Sequence, residues 1–448
     1  MGWLGRFDRG FQTMRRFTWH GCIATVCLTA APAMAQEAAA ATVDSGDTAW
    51  MLAAAALVLF MTPGLGLFYG GMTRQKNMLA TIMHSFFIIG LVSVQWALIG
   101  YTLAFGTDIG GLIGGLDYAF LISVGQGPSP FAATIPDILF VMYQGMFAVI
   151  TPALISGAFA ERMRFGPFVI FTLLWVTVVY APTAHWVWGG GWMGPAGLGA
   201  LDFAGGTVVH ISSGAAALAA AIVLGRRMGW PREPVLPHNL PFTVLGAGIL
   251  WFGWFGFNAG SALAANGLAA SAFAATHLAA AAATVSWGLA EYLHRGKASV
   301  LGAASGAVAG LVAITPAAGF VGPMPALIIG LVAGVLCYFA VSLKFRLGYD
   351  DSLDVVGVHG AGGAWGALAT GLFASTAING AGADGLLFGN PAQLGIQAAS
   401  VVATVAYSFI VTLILLKIVD ATMGLRVGEE EEVMGLDLSQ HGERAYSL

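Results

Sequence analysis

Charged residues are scarce in this sequence of 448 residues: Asp, Glu, Lys and Arg together account for 9%. A soluble domain carries about 25% charged residues, so the composition excludes an ordinary soluble protein. Hydrophobic residues account for 58%, and the mean hydropathy is +0.80. The formal net charge of −4 decides little, because the placement of charge in a membrane protein matters more than its sum. The composition predicts a polytopic membrane protein in a lipid bilayer.

Cysteine and the common catalytic motifs are also missing. The three cysteines, Cys22, Cys27 and Cys337, provide neither a disulfide framework nor a cysteine-based metal site. The sequence has no His-Glu-x-x-His zinc motif, no Gly-x-Ser-x-Gly nucleophile motif and no nucleotide-binding loop. We therefore expect no enzyme, no metal, no cofactor and no nucleic-acid partner.

The first 35 residues have the pattern of a signal peptide. Four arginines between residues 6 and 16 precede an apolar run that ends at Leu28, and Ala33-Met-Ala35 resembles a cleavage site. An uncleaved first span is the alternative, but the apolar run is shorter than the roughly 20 residues that a span needs. We expect a signal peptide over 1–35, a transmembrane domain over 36–420 and a cytoplasmic tail over 421–448.

Long apolar runs separated by Gly, Pro or charge predict an all-α domain with eleven transmembrane helices. The predicted spans are 49–71, 78–104, 136–160, 166–188, 203–225, 241–263, 270–293, 299–317, 324–345, 356–376 and 394–418.

Positive charge follows the odd-numbered spans alone. Beyond the predicted signal peptide, every Lys and Arg lies at the end of span 1, 3, 5, 7, 9 or 11 or after it, and the loop 105–135 contains none. Loops rich in Lys and Arg stay on the cytoplasmic side. The distribution therefore predicts an N-terminus outside, a C-terminus in the cytoplasm, and residence in the inner membrane.

A motif with an aspartate and a histidine occurs twice. His210 follows Asp202 by eight residues and His359 follows Asp351 by eight residues, each with Val before the histidine and Gly four residues after it. Eight residues of helix span about 12 Å, which places each histidine near the middle of a bilayer core about 30 Å thick. With eleven spans, the two motifs enter from opposite faces, so we predict an inverted repeat of five and five helices plus one.

The two histidines are the leading functional candidates, because ionisable side chains are costly within a membrane. Two neutral imidazoles in contact can pass a hydrogen-bonded molecule or a proton. Helix packing, zinc ligation with Asp202, and partnership with Ser212 or Ser213 in an intramembrane protease are the alternatives. Asp202 and Asp351 lie where helix N-caps belong, and capping is the favoured role for both.

Aromatic residues gather near one end of spans 3, 4 and 6. Tyr143 and Phe147 are one helical turn apart, Trp188 closes span 4, and a run of rings leads to Ser261. Each ring alone is typical of an interfacial aromatic belt. Together the rings and the hydroxyl predict a small cation-π cage.

Several motifs closely resemble the ammonium transporter family (Amt/Mep/Rh), on its bacterial Amt branch. The resemblance runs from about residue 48 to the C-terminus. The motifs that carry it are Asp-Phe-Ala-Gly-Gly-Thr-Val-Val-His (202–210), Trp-Phe-Gly-Trp-Phe-Gly-Phe-Asn-Ala-Gly-Ser (251–261), Gly-Val-His-Gly (357–360), Gly-Ala-Phe-Ala-Glu-Arg (157–162) and Gly-Leu-Arg-Val-Gly-Glu-Glu-Glu-Glu (424–432).

The resemblance implies a homotrimer with one pore through each subunit and an external ammonium site. That site would be formed by Trp188, Phe147, Ser261 and Tyr143, with Asp202 shaping it. Family members often have Phe where this chain has Tyr143, which keeps a ring and adds a hydroxyl.

Below the external site, the resemblance implies a gate of two stacked rings, Phe147 and Phe257. The twin histidines His210 and His359 would then line a narrow apolar pore. The residues implied as its walls are Trp254, Tyr69, Leu154, Leu250 and Val355.

By this resemblance the chain takes up ammonium. The ion would be recruited and deprotonated, ammonia would pass the histidines, and the proton would be released or carried through as well. The tail would meet a PII-type regulatory protein. An ammonium sensor of the same fold is the main alternative, although sensors often carry an appended signalling domain; a Rh-like gas channel is a further one.

Overall fold

The computed structural model of the chain describes residues 42–233 and 235–446. The predicted signal peptide, 1–35, lies outside the described residues, as do residues 36–41. The description below therefore begins at Thr42.

Helices form most of the described chain, and each predicted span coincides with one. The helices are α1 Ser45–Met72, α2 Gln75–Phe105, α3 Asp137–Phe159, α4 Phe165–Val187, α5 Gly206–Leu224, α6 Leu240–Ala259, α7 Gly267–Arg295, α8 Val300–Ile314, α9 Pro323–Leu347, α10 Val356–Ala361 continued by Gly362–Phe373, and α11 Pro391–Met423, followed by two short helices, α12 Glu429–Met434 and α13 Leu436–His441.

Within the described ranges, nine of these helices are long and apolar enough to cross a membrane. The helix α8 is apolar but shorter, and α10 is not among the nine. The multi-pass helical architecture is confirmed, while the total of eleven spans and the orientation stay predictions.

Side-chain caps explain where several helices begin. The Asn239 side-chain oxygen accepts the Phe242 N–H at 3.1 Å at the start of α6, and Ser299 does the same for Gly302 at 2.9 Å at the start of α8. Such caps satisfy backbone donors that lack a partner in the first helical turn. They fix the entry of each helix into the bundle.

Five helices contain a turn of π-helix, which widens the helix and is frequent at functional sites. These turns are Trp96–Gly100, Val176–Tyr180, Gly206–Ile211, Phe255–Ala259 and Val356–Ala361. Three of them carry His210, Phe257 and His359, which are candidate site residues.

Glycines let α5 and α10 cross at close range. A methyl group on Gly214 would lie 2.4 Å from the backbone of Gly360, and one on Gly363 would lie 3.0 Å from Cβ of His210. Gly214 and Gly363 are the glycines four residues after each histidine. Small residues at such crossings allow close helix packing in membranes, so the repeated glycine brings the two histidines together.

The loop 106–136 covers one end of the bundle, which we call the loop end. It contains two small antiparallel hairpins, β1 Asp108–Ile109 with β2 Ile113–Gly114, and β3 Pro128–Ser129 with β4 Ala132–Pro136. The buried His185 near the end of α4 holds the first hairpin, with Nε2 2.9 Å from the Asp108 carboxylate.

The opposite end, which we call the basic end, carries the Lys and Arg residues. Two arginines there are buried rather than solvated: Arg162 donates to the Asp350 carbonyl at 2.6 Å, and Arg227 pairs with Asp350 at 2.8 Å and with Glu161 at 3.1 Å. Burial opposes the ionisation of Glu161, but Arg227 and Arg74 outweigh it and lower the pKa of that carboxyl. The same balance lowers the pKa of Asp350. A buried ion network therefore joins the loops after α1, α3, α5 and α9.

The tail packs on the basic end. Glu432 is buried, and its carboxylate accepts from Arg426 at 2.7 Å and from the Met228 N–H at 2.8 Å. Glu429 and Glu430 face solvent. The acidic run is thus divided, since one member ties the tail to the bundle and two stay exposed.

Candidate functional site

The two histidines meet in a narrow cavity at the centre of the bundle. Their Nδ1 atoms are 3.2 Å apart and their ring centroids 5.3 Å apart. The cavity volume is about 10 Å³, which is room for no more than about one water-sized molecule. The lining residues are Met61, Leu65, Phe68, Ile150, Leu154, Val209, His210, Leu250, Trp254, Phe257, Val308 and His359.

One imidazole nitrogen in this cavity lacks a partner. His210 Nε2 is buried and makes no hydrogen bond to any described residue. An unsatisfied polar atom in an apolar setting is costly, and in a native structure it calls for an explanation such as a bound molecule. The other polar groups among the described lining residues are the His359 imidazole and the Trp254 indole N–H, which donates to Thr315 at 2.9 Å. The cavity thus offers hydrogen bonding to a small molecule at one point in an otherwise apolar passage.

Asp202 sets the start of α5 and hence the position of His210. Its carboxylate accepts the N–H groups of Gly205 at 2.8 Å, Gly206 at 2.6 Å and Thr207 at 2.8 Å, together with the Thr207 hydroxyl. The predicted capping role is therefore observed. The carboxylate caps more backbone N–H groups than a usual N-cap does, because its hydrogen bonds extend into the π turn Gly206–Ile211. The Trp254 ring then lies 5.5 Å from the imidazole at an interplanar angle of 25°, and holds its orientation.

Two phenylalanine rings separate the histidines from the loop end. The centroids of Phe147 and Phe257 are 4.3 Å apart, and Phe257 is 6.1 Å from the His210 ring. Phe147 comes from α3 and Phe257 from the π turn of α6. The structure therefore brings together the two rings that the resemblance assigned to a gate.

Above these rings lies a wider space of about 250 Å³, which we call the loop-end vestibule. Its lining residues are Phe105, Phe131, Phe140, Gln144, Phe147, Val187, Trp188, Pro195, Phe203, Ser261 and Leu263. Phe147 and Trp188 meet edge to face with centroids 6.0 Å apart. Three of the predicted external-site residues, Phe147, Trp188 and Ser261, thus share this space.

The other two predicted external-site residues lie behind its wall. The Tyr143 side chain is fully buried; its hydroxyl is 2.9 Å from the Phe257 carbonyl and 3.2 Å from the Ser261 hydroxyl. Asp202 is 7% exposed, and its backbone carbonyl accepts the Trp188 indole N–H at 3.0 Å. Both residues therefore position groups of the vestibule rather than line it.

Toward the basic end the passage continues as a second small cavity beyond His359. Tyr69 and Asp354 line it, and the Tyr69 hydroxyl donates to the Leu154 carbonyl at 3.1 Å. Val355, a predicted wall residue, is fully buried and packs near Tyr69 against Gly157 instead of lining either cavity. A wide opening of about 520 Å³ follows, with Lys344 and Asp354 paired at its edge.

The cavity lining repeats with a fixed offset. Met61, Leu65 and Phe68 of α1 lie 189 positions before Leu250, Trp254 and Phe257 of α6, and both triplets face the same cavity. Sequence reasoning named the second triplet and missed the first. The spacing of four and then three residues, which marks one face of a helix, was the available signal.

Two alternative chemistries find no geometric support. Ser212 donates to the Val208 carbonyl at 2.6 Å and Ser213 to the His210 carbonyl at 3.2 Å, so neither hydroxyl addresses an imidazole. In residues 42–233 and 235–446, no three His, Cys, Asp or Glu side chains group as metal ligands.

Comparison with known proteins identifies relatives along nearly the whole chain. The profile of the Ammonium Transporter Family matches residues 49–446. The "Ammonium transporter" of Bacillus subtilis is 56% identical over 402 residues, which is 90% of this chain and 98% of that protein. The crystal structure of Candida albicans Mep2 is similar with a TM-score of 0.83 and 42% identity, over 90% of each chain. A solved structure called "Sensor Amt Protein" is similar with a TM-score of 0.81 and 32% identity, over 88% of this chain and 98% of that one.

Proposed function

This chain belongs to the ammonium transporter family, and from that premise we propose that it carries ammonium across the cytoplasmic membrane through the cavity of the two histidines. The family resemblance is confirmed by the comparisons, and so is the prediction that the chain is a transporter rather than an enzyme. The observation that best supports the route is the unpartnered His210 Nε2 in a narrow, otherwise apolar cavity.

The proposed steps follow the passage from the loop end. The ammonium ion is recruited among Phe147, Trp188 and Ser261, where ring faces attract a cation. A bare cation is expensive in the apolar section below, so the ion gives up a proton near the Phe147 and Phe257 gate, and that proton either returns to the water of the loop-end vestibule or is carried through separately. Neutral ammonia then passes His210 and His359 by hydrogen bonding and regains a proton at the basic end. Potassium ions are excluded, because they have no proton to lose.

The arrangement in the membrane is part of the proposal. Eleven spans place the loop end outside and the basic end in the cytoplasm, as the Lys and Arg distribution predicts. Single-cysteine labelling with a membrane-impermeant maleimide tests this orientation. Gly125→Cys is expected to react from outside, and Lys297→Cys is expected to react after the membrane is opened.

A homotrimer is proposed for the assembly. The imidazole of His277 lies about 15 Å along α7 from its start and is exposed on the subunit surface beside Trp251. A polar side chain facing lipid at that depth is costly. Its exposure supports a partner subunit that covers this face of α7, and native mass spectrometry in detergent tests the number of copies.

A PII-type protein is the proposed partner at the basic end, where Glu429 and Glu430 of the tail face solvent. Failure to co-purify with a PII-type protein at any effector concentration would count against it.

Proteoliposomes given an ammonium pulse test the function, with potassium as the competing ion. We expect an ammonium-specific current or an internal alkalinisation in the wild type, and loss of the signal or a potassium leak in His210→Ala. The matched control is His84→Ala, because His84 is a buried histidine away from the cavity.

Current would mean that the proton also crosses, and alkalinisation without current would mean neutral ammonia transport. The sensor is the second candidate, supported by the likeness to the "Sensor Amt Protein". Ammonium binding without either signal would favour it and would reject transport.

A further inference from the structure

Gln144 occupies the loop-end vestibule beside the proposed ammonium site. It lies on α3 three residues before Phe147, and residues at that spacing project from the same side of a helix. Its side chain lines the vestibule together with Phe147 and Trp188. Neither the motifs nor the family comparison assigns it a role.

The amide of Gln144 is left incomplete by the protein. The residue is only 8% exposed. Its Oε1 atom is buried and has no hydrogen-bond partner among the described residues. Most buried polar side-chain atoms are paired, and because this residue stands in the wall of the vestibule beside Phe147 and Trp188, a bound ion can complete its amide. The amide nitrogen makes no hydrogen bond to a described residue and, unlike the oxygen, is not fully enclosed, so a half-turn of the amide exchanges the two atoms and gives the oxygen the accessible position without any movement of the backbone.

The vestibule has few groups that can accept a hydrogen bond from a cation. Among its described lining residues, the side-chain oxygens belong to Gln144 and Ser261, and no carboxylate is present. The Ser261 hydroxyl already donates to the Phe257 carbonyl at 2.9 Å and is 3.2 Å from the Tyr143 hydroxyl. Donation leaves the lone pairs of Ser261 able to accept, so Gln144 and Ser261 are the two side-chain acceptors of this lining, and the Gln144 oxygen is the one of the two with no described partner.

The chemistry of the cation gives this oxygen a specific use. Ring faces attract any small cation, because the attraction is electrostatic and has little directionality. An ammonium ion also presents four N–H donors, whereas a potassium ion presents none, and an amide oxygen is a directional acceptor. We propose that Gln144 is a further ligand of the ammonium ion in the vestibule, and that its amide oxygen accepts one N–H of the ion before the proton is lost. This inference rests on the proposed function, since it takes ammonium to be the ion that enters.

The test compares transport in proteoliposomes at varied ammonium concentration for the wild type, Gln144→Met and Gln144→Glu. The methionine keeps the length of the side chain and removes the amide. We expect Gln144→Met to raise the half-saturating ammonium concentration about 3- to 10-fold, the worth of one hydrogen bond, and to leave the maximal rate within about twofold. Gln144→Glu restores an acceptor and adds a charge, so its half-saturating concentration is expected at or below that of the wild type, with stronger competition from potassium.

The matched control is Gln95→Met. Gln95 is also a buried glutamine with an unpartnered Oε1, but it lies in a groove between α2 and α4 outside the vestibule lining, where its amide nitrogen donates to Thr177 at 3.0 Å. It should leave the half-saturating concentration unchanged. The melting temperature of each variant in detergent separates a folding defect from a binding defect.

If Gln144→Met has the same half-saturating ammonium concentration as the wild type, the inference is overturned and the proposed function still stands. A change in the maximal rate alone, or an equal rise in Gln95→Met, would assign Gln144 a packing role and also overturn it. If the wild type carries no ammonium at all, the proposed function itself fails, so the two failures are distinguishable. Should Gln144→Met fail to fold, the saturation and the potassium competition of Gln144→Glu decide.

Discussion

Asp202 and Asp351 open the two copies of the aspartate-to-histidine sequence motif, yet their carboxylates have different surroundings. Both oxygens of Asp202 are engaged, by three N–H groups within 2.8 Å and by the Thr207 hydroxyl. Asp351 has one close donor, the Val356 N–H at 2.7 Å on Oδ2, and its Oδ1 is buried without a partner in the described chain. The same Asp-to-His spacing is thus accompanied by different hydrogen bonds at the start of the two helices.

The difference matches the two ends that these residues face. Asp202 supports the loop-end vestibule, where the Trp188 indole donates to its backbone carbonyl. Asp351 belongs to the basic end, where Lys344 donates to its backbone carbonyl and pairs with Asp354. A fully satisfied carboxylate is a rigid support, whereas a carboxylate with a free oxygen remains able to take up a proton. The comparison predicts different responses to the same substitution at the two positions.

The glycines that follow the histidines provide the largest expected contrast. In Gly214→Ala the new methyl group meets the backbone of Gly360 at 2.4 Å, which no side-chain rotation relieves, whereas in Gly363→Ala it meets Cβ of His210 at 3.0 Å. We expect Gly214→Ala to separate α5 from α10 and reduce transport at least about tenfold, since a shift of about 1 Å at a reacting site is enough for a large loss. The fall in transport should be smaller in Gly363→Ala. Transport and melting temperature are the measurements, and Gly248→Ala, where nothing lies within 4 Å, is the control. Equal losses at Gly214 and Gly363 would reject the contrast.

The caps themselves give the next contrast. Asp202→Asn places an amide NH₂ against backbone donors that have no other partner, with an expected cost of about 2–4 kcal/mol in unfolding free energy. Asp351→Asn keeps an acceptor for the Val356 N–H and removes a buried charge, so its cost should stay below about 1 kcal/mol. Melting temperatures of the two variants in detergent are the measurement. Similar falls in both would show that the caps are equivalent despite their different hydrogen bonds.

Lowering the pH is expected to change the contribution of Asp351 to stability and to leave that of its neighbour Asp350 unchanged. Burial raises the pKa of Asp351 to about 6, with Asp354 adding to the rise and Lys344 opposing it. The folded protein therefore bears a cost at pH 7, when Asp351 is ionised, and is relieved as pH falls through 6. Relative to Asp351→Asn, the wild type should gain about 1 kcal/mol between pH 7 and pH 5, measured as a shift of about 1–3 °C in the difference between melting temperatures.

Asp350 is the control for that measurement. Arg227 lowers the pKa of Asp350 against the effect of burial, so its ion pair stabilises the fold above the ordinary aspartate pKa and is lost only below it. The penalty of Asp350→Asn, about 3 kcal/mol or more for a broken buried pair, should therefore be constant between pH 5 and pH 7. A difference between the wild type and Asp351→Asn that also stays constant over this range would contradict the role given to the free oxygen.

The sequence predicted the helices because apolar length alone determines which segments can cross a membrane. It also predicted the meeting of His210 and His359, since equal spacing from Asp202 and Asp351 puts them at one depth in opposite helices. It did not predict the π turns, which depend on how Gly206 and Val356 pack against other helices. Periodic patterns contain no information about that packing. The hydrogen bonds by which Asp202 and Asp351 cap these π turns were therefore visible only in the structure.

The basic residues show a second limit of prediction from sequence. Their distribution predicted the orientation, yet Arg162 and Arg227 are buried rather than in contact with solvent: Arg162 donates to backbone carbonyls and Arg227 pairs with Asp350. Likewise Glu432 belongs to a run of four glutamates, which the sequence alone does not divide, but it is buried and pairs with Arg426. A sequence shows where charges lie along the chain, whereas pairing depends on which loops meet at the end of the bundle. Gln144 was missed for a related reason, because one glutamine on an aromatic face carries no periodic signal.

Two tyrosine hydroxyls offer the finest test of the difference between the ends. Tyr143 lies within 3.0 Å of two carbonyls of the α6 turn and beside Ser261, while Tyr69 donates to the Leu154 carbonyl near the basic end. Removing either hydroxyl should cost about 1 kcal/mol in unfolding free energy. Tyr143→Phe loosens Ser261 and should change the half-saturating ammonium concentration by no more than about threefold, with an unchanged maximal rate; Tyr69→Phe lies beyond the histidines and should alter the rate instead. Saturation curves for the two variants measure both quantities, and a change in saturation for Tyr69→Phe would mean that recruitment extends past the gate.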